Sequence, residues 1–181
     1  MIDQNGGTPM NAPTVFISYS HEDEEWKDSL LTHLKALQME GVNAWSDRQI
    51  GAGDDWYQEI RQAMDAASVA VLMISADFLA SDFIMKEEVP HLLKRQAEED
   101  LCIFPIIVKP CVWKRNKELA QIQARPKDGR PLSTGDENQI DADLAAIAEE
   151  IADIIQTQRG PSVLDEYRRM VAKQYEYLEH A

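Results

Sequence analysis

The sequence predicts an α/β domain built on an open parallel sheet with helices on both faces. Three observations lead there. Apolar β-type runs at 14–18, 42–45, 68–75 and 101–108 alternate with segments of helical periodicity, the rhythm of a parallel sheet. The run 68–75, Ser-Val-Ala-Val-Leu-Met-Ile-Ser, is continuously apolar, as expected of a central strand covered on both faces. The first run, Thr-Val-Phe-Ile-Ser-Tyr-Ser over 14–20, breaks into hydroxyl residues and then into His21-Glu22-Asp23. In such sheets ligands collect just beyond the carboxyl ends of the strands, so this run also marks an edge to search.

The elements follow in order. Residues 1–13, rich in Gly, Pro and Asn, read as a flexible leader before a domain over 14–158. Ser20, three residues before Asp23, resembles a capping box. Trp26, Leu30, Leu34 and Leu37 then recur at helical spacing, giving a helix over 21–39 ended by Gly41. After the strand at 42–45 comes the loop 46–54. Trp56, Ile60, Ala63, Met64 and Ala67 form the inner stripe of a second helix. A Ser/Asp-rich segment at 75–82 leads into a third helix over 83–98. The polar stretch 114–138 reads as a long surface connection. A last helix over 140–157 carries Leu144, Ile147, Ile151, Ile154 and Ile155 on one face. Beyond the Gly160-Pro161 break, 161–181 is a C-terminal amphipathic helical segment. It either packs back on the domain or begins a further module.

Composition removes several function classes. With 181 residues, 44% of them hydrophobic, the chain suits one domain with an appendage. A formal net charge of −14 argues against nucleic-acid binding, which needs clustered Lys and Arg. No apolar run has the length of a bilayer span and the N-terminus has no signal pattern, so no membrane partner and a cytoplasmic location are expected. Cys102 and Cys111 form no CxxC pair, and His21, His33, His91 and His180 lack metal-ligand spacing. No metal is expected, and the cysteines read as reduced thiols. Gly51 and Gly53 are not a phosphate loop, since no GxGxxG and no Lys-Ser/Thr accompany them. A receiver-like phospho-acceptor domain would want an Asp at the end of a central strand, where Ser75 stands.

Three separated motifs carry a resemblance to a family. They are Val15-Phe16-Ile17-Ser18-Tyr19-Ser20 with the acids behind it, the loop from Asp47 to Trp56 with Ile50, Gly51 and Gly53, and 74–83 running into Glu87-Glu88-Val89-Pro90. Together, over about 13–157, they resemble a bacterial TIR (Toll/interleukin-receptor-like) domain of the NAD-cleaving kind. The resemblance implies a flavodoxin-like open parallel sheet. It also implies an NAD glycohydrolase, in which NAD is substrate and no cofactor is needed. The bond broken joins nicotinamide to ribose, and the product is ADP-ribose or a cyclic form of it. Because the leaving group is already a cationic pyridinium, the reaction asks chiefly for one carboxylate to stabilise the oxocarbenium-like charge on the ribose.

Glu87 and Glu88 are the candidates for that carboxylate. Met85, Val89, Leu92, Leu93 and Gln96 define one side of the helix, and at about 100° per residue Glu88 falls at its edge while Glu87 points away. Counting from Phe83 in an aromatic-x-x-x-Glu pattern gives Glu87, whereas Glu-apolar-Pro gives Glu88. The reading adopted is Glu88, with Glu87 as alternative.

The resemblance places NAD contacts at Ser18, Tyr19, Ser20, Trp45, Asp47, Arg48, Trp56 and Phe83. Trp45 reads equally as a core residue, Trp56 reads rather as a core residue at a helix start, and Asp47 rather as a loop cap. Family enzymes often carry a basic residue near the first loop. Here His21, Glu22 and Asp23 stand there, and Arg48 is the substitute for holding the phosphates. The loop Arg48, Gln49, Ile50, Gly51, Ala52 and Gly53 corresponds to the one through which TIR domains contact each other head to tail. Self-association into oligomers or filaments would then switch activity on. Two functions follow from the resemblance: an NAD hydrolase activated by self-association in bacterial antiphage signalling, or a non-catalytic TIR adaptor.

Overall fold

The computed structural model describes residues 14–46, 55–160, 167 and 169–171. Four strands, β1 (Thr14–Ser18), β2 (Asn43–Trp45), β3 (Ala67–Ile74) and β4 (Cys102–Ile107), form one sheet in the order β2-β1-β3-β4. Every pairing is parallel. Phe16 lies opposite Trp45 on one side and Ala70 on the other, and Ile74 opposite Ile107. The order reverses between β1 and β3, and at such a switch point the flanking loops diverge and leave a crevice above the strand ends.

Side-chain alternation divides the core into two layers. Val15, Ile17, Val69, Val71, Met73, Phe104 and Ile106 face α1 (Glu24–Lys35) and α6 (Glu137–Arg159). Phe16, Ala70, Leu72, Ile74, Ile103 and Ile107 face α2 (Trp56–Ala66), α3 (Ala76–Ala80), α4 (Val89–Glu98) and α5 (Lys117–Ala120). All eight residues of β3 but Ser68 are buried, as expected of a strand covered on both faces.

The elements differ from the sequence reading at instructive places. Ser75 caps α3 by accepting the Phe78 N–H, so the Ser/Asp-rich segment 75–82 holds a short helix of its own over Ala76–Ala80. Ile60, Ala63 and Met64 are buried as predicted in α2, and Ala67 is buried at the start of β3. Trp56 is not part of the inner stripe. It is 52% exposed and lies against Phe83 on the cavity instead of the core. Gly41 ends the first helical region with φ 86°, a left-handed conformation open to glycine at little cost.

The connection 114–138 is no mere surface loop. It buries Leu119, Ala124 and Leu132 and runs beside β4, with Ile107 N–H donating to the Arg125 carbonyl at 2.9 Å and Arg125 N–H to the Pro105 carbonyl at 2.8 Å. These bonds satisfy a sheet edge that would otherwise be open. Arg125 also grips Glu150 of α6 through two charge-assisted bonds, that from Nε measuring 2.8 Å. The leader 1–13 and most of 161–181 lie outside the described residues. Residues 167 and 169–171 are helical, with Tyr167 and Met170 exposed.

Candidate active site

A cavity of about 520 Å³ opens beyond the carboxyl ends of β1 and β3. One wall is the turn after β1, contributing Tyr19, Ser20, His21 and Glu22; the other is formed by Ser81, Phe83, Ile84 and Glu88, with Trp56 and Ile60 of α2 between them. Both walls follow from local chemistry. Ser20 Oγ accepts the Glu22 N–H at 3.4 Å and Asp23 N–H donates to the Ser20 carbonyl at 2.8 Å, forming a tight one-turn helix over His21–Asp23. Asp23 does not reach back as a capping-box acid would; its side chain is turned inward and buried.

The opposite wall departs from ordinary helix geometry. Ile84–Glu88 is a π-helical turn, in which Val89 N–H reaches back five residues to the Ile84 carbonyl. Such turns insert one residue and locally redirect side chains, and they recur at functional sites. Here the turn separates two adjacent carboxylates. Glu88 is 7% exposed and lines the cavity. Glu87 is exposed and accepts the Tyr57 hydroxyl at 3.1 Å, and Arg61 in turn donates to that hydroxyl at 3.4 Å.

Glu88 is fixed from the sheet. Ser18 Oγ donates to Glu88 Oε2 at 2.5 Å, a hydrogen bond within the buried layer. Alternation explains the meeting: Ser18 follows Phe16 by two residues and so points to the sheet face that carries α2 and α4. Ser75 follows Met73 by two and points to the opposite face, where its hydroxyl donates to Asp23.

The sequence-predicted residues are therefore sorted by the fold. Tyr19, Ser20, Trp56, Phe83 and Glu88 share the cavity. The Ser18 hydroxyl is committed to Glu88 rather than directed at open space. Trp45 stacks on Phe16, ring centroids 5.5 Å apart and planes at 15°, and packs against the α2–α4 core layer. Asp47 and the whole loop Arg48, Gln49, Ile50, Gly51, Ala52 and Gly53 lie outside the described residues. Trp56 and Phe83 lie 5.0 Å apart with planes at 58°, an aromatic pair at the cavity mouth.

Among the described lining residues there is no Lys or Arg, and the polar groups are hydroxyls, His21 and two carboxylates. Such a wall suits the cationic end of a ligand and offers flat aromatic surface to a ring. Sequence reasoning missed that Ser75 and Lys109 both donate to Asp23 and that the Tyr57 hydroxyl donates to Glu87, contacts with no local signature. Burial pushes the thiols of both Cys102 and Cys111 up, which disfavours the thiolate form. Among the described residues no group of His, Cys, Asp and Glu could hold a metal ion, and no helix is long and apolar enough to cross a membrane.

Among proteins of known sequence, the chain is similar to the uncharacterized protein y4lF of Sinorhizobium fredii, 36% identical over 122 residues and 67% of this chain. It spans only 38% of that relative's length. Among solved structures, it is similar to the TIR domain of the Toll-related receptor TRR-2 of Hydra magnipapillata, with TM-score 0.42, 24% identity, and 54% of this chain and 71% of that one covered. It is also similar to the TIR domains of the activated Roq1 resistosome that recognises the effector XopQ, with TM-score 0.43, 21% identity, and 76% and 84% covered. The model of the TIR domain matches residues 15–145, most of the chain and both walls of the cavity, and the chain belongs to the TIR domain family.

Proposed function

We propose that this TIR domain is an NAD glycohydrolase, with Glu88 as the catalytic carboxylate. The observation that carries the reading is a buried carboxylate facing a cavity at the switch point of the sheet, fixed by a serine of β1. In the reaction the bond between ribose C1′ and the nicotinamide nitrogen breaks, and its electron pair passes to the ring, which leaves neutral. Positive charge builds on the ribose as the bond lengthens. A fixed anion at that point stabilises the transition state more than the ground state, which is the requirement for raising kcat. Water then adds at C1′ and releases a proton, giving ADP-ribose; attack by a group of the same molecule gives a cyclic product instead.

Trp56 and Phe83 offer a stacking surface for a flat ring, and Tyr19 and Ser20 polar contacts to ribose. Asp47, Arg48 and the loop through Gly53 complete the proposal: head-to-tail contacts between copies run through this segment, and activity follows self-association. A cytoplasmic role in bacterial immune signalling fits such a device.

A second reading, a non-catalytic TIR adaptor, is favoured by one observation: His21 and Glu22 stand in the first-loop wall where a cation would hold phosphates. The two readings separate on a single assay. Protein clustered on a bead or vesicle surface is incubated with NAD and released nicotinamide is measured. Turnover that rises with surface density supports the enzyme. Binding between copies without turnover supports the adaptor.

A further inference from the structure

Asp23 is fully buried at the upper rim of the sheet. Burying a carboxylate is strongly unfavourable unless its oxygens are paired and hydrogen-bonded. Two other strand ends meet this need. Ser75, just past β3, donates its hydroxyl to Oδ2, and Lys109, just past β4, donates from Nζ to Oδ1 at 2.6 Å. That hydrogen bond holds the Lys109 ammonium above its ordinary range, so it stays charged wherever the protein is folded near neutrality.

The location of this node gives it a consequence for the cleft. Asp23 ends the one-turn helix whose other residues, with Ser20, form the first wall of the cavity. The arrangement mirrors the opposite wall. Ser18 at the end of β1 holds a carboxylate from the chain after β3, and Ser75 at the end of β3 holds a carboxylate from the chain after β1. The two ties use different serines and different carboxylates, Ser18 with Glu88 and Ser75 with Asp23.

Resting on the NAD-cleaving reading, we infer that Asp23, with Ser75 and Lys109, is a positioning node that sets the substrate-binding wall 19–22, while Ser18 sets the catalytic carboxylate. The two ties therefore act on different kinetic parameters. Loosening the wall weakens substrate binding and raises KM; loosening Glu88 lowers kcat.

The test uses the Asp23→Asn/Lys109→Met double variant. Asparagine keeps an acceptor for Ser75, methionine keeps the stem, and removing both charges together leaves no unpaired ion in the interior. The expected result is a KM for NAD raised about tenfold with kcat within about twofold of wild type, the reverse of the split in Ser18→Ala. An unchanged KM overturns the inference, as does a parallel loss of both parameters that tracks a loss of folded protein in thermal melts. If the unsubstituted protein releases no nicotinamide even when clustered, the functional reading falls. The node is then decided by amide exchange in the same double variant. Exchange about tenfold faster at residues 20–23, with β3 unchanged, supports it, and unchanged exchange there overturns it.

Discussion

Ser18 Oγ and Glu88 Oε2 lie 2.5 Å apart, joining the end of β1 to a π-helical turn seventy residues later. One oxygen of the carboxylate is thereby fixed, and the side chain is held in the cavity wall instead of sampling several rotamers. Preorganisation of this kind is what gives an electrostatic catalyst its effect, since no reorganisation is then needed as charge develops.

The first prediction concerns that serine. Ser18→Ala removes one hydrogen bond without touching the cavity lining, and kcat for nicotinamide release falls about tenfold while KM stays near wild type. Steady-state kinetics on clustered protein check it. An unchanged kcat would show that Glu88 needs no such support.

A second prediction concerns the cavity mouth. Trp56 is half exposed and rests on Phe83, so its loss leaves the core intact. Stacking on an aromatic side chain is worth about 1–3 kcal/mol per base. Trp56→Ala accordingly raises KM for NAD about tenfold and leaves the melting temperature within a few degrees, and quenching of tryptophan fluorescence by NAD diminishes in the variant.

The third prediction is a pH dependence of stability. The Arg125 guanidinium holds the Glu150 carboxyl below its ordinary value of 4.5. A carboxyl whose pKa is lower in the folded state stabilises the fold above the unfolded value and loses that contribution as the pH falls below it. The wild-type melting temperature thus drops more steeply below about pH 4.5 than that of Glu150→Gln. Near neutrality the variant is less stable by about 1 kcal/mol, since the pair is only partly buried. The two curves converge in acid; parallel curves would contradict the account.

Much of this molecule is legible in its sequence, for physical reasons that differ from element to element. Thr14–Ser18 and the central strand are found within a residue of their sequence positions, since buried strands of a parallel sheet leave continuous apolar runs. The last helix begins at Glu137, earlier than its apolar stripe suggests, because Asp136 caps it by accepting the Gln139 N–H. Trp56 falls at core spacing in the sequence yet lines the cavity, because helical spacing records periodicity and not whether a helix's first turn meets the core. The 114–138 stretch reads as a surface connection because Leu119 and Leu132 are isolated apolar residues in a polar run, and their burial depends on the segment running beside β4. In the site, the placing of Glu88 at the edge of a helix face assumes about 100° per residue, whereas Ile84–Glu88 is a π-helical turn. The split between buried Glu88 and exposed Glu87 thus depends on a local irregularity that periodicity does not encode. The bond of Glu88 to Ser18, and that of Asp23 to Ser75 and Lys109, depend on which strands become neighbours, which no local pattern encodes.

The two adjacent glutamates provide the most direct measurement. Nicotinamide release from NAD is followed with clustered wild-type, Glu88→Gln and Glu87→Gln proteins at equal surface density. The account predicts turnover by wild type, a loss of about 100-fold or more in Glu88→Gln, and near wild-type turnover in Glu87→Gln, whose carboxylate faces Tyr57 outside the cavity. Activity surviving in Glu88→Gln while Glu87→Gln is silent, or no release from wild type at any density, would contradict it.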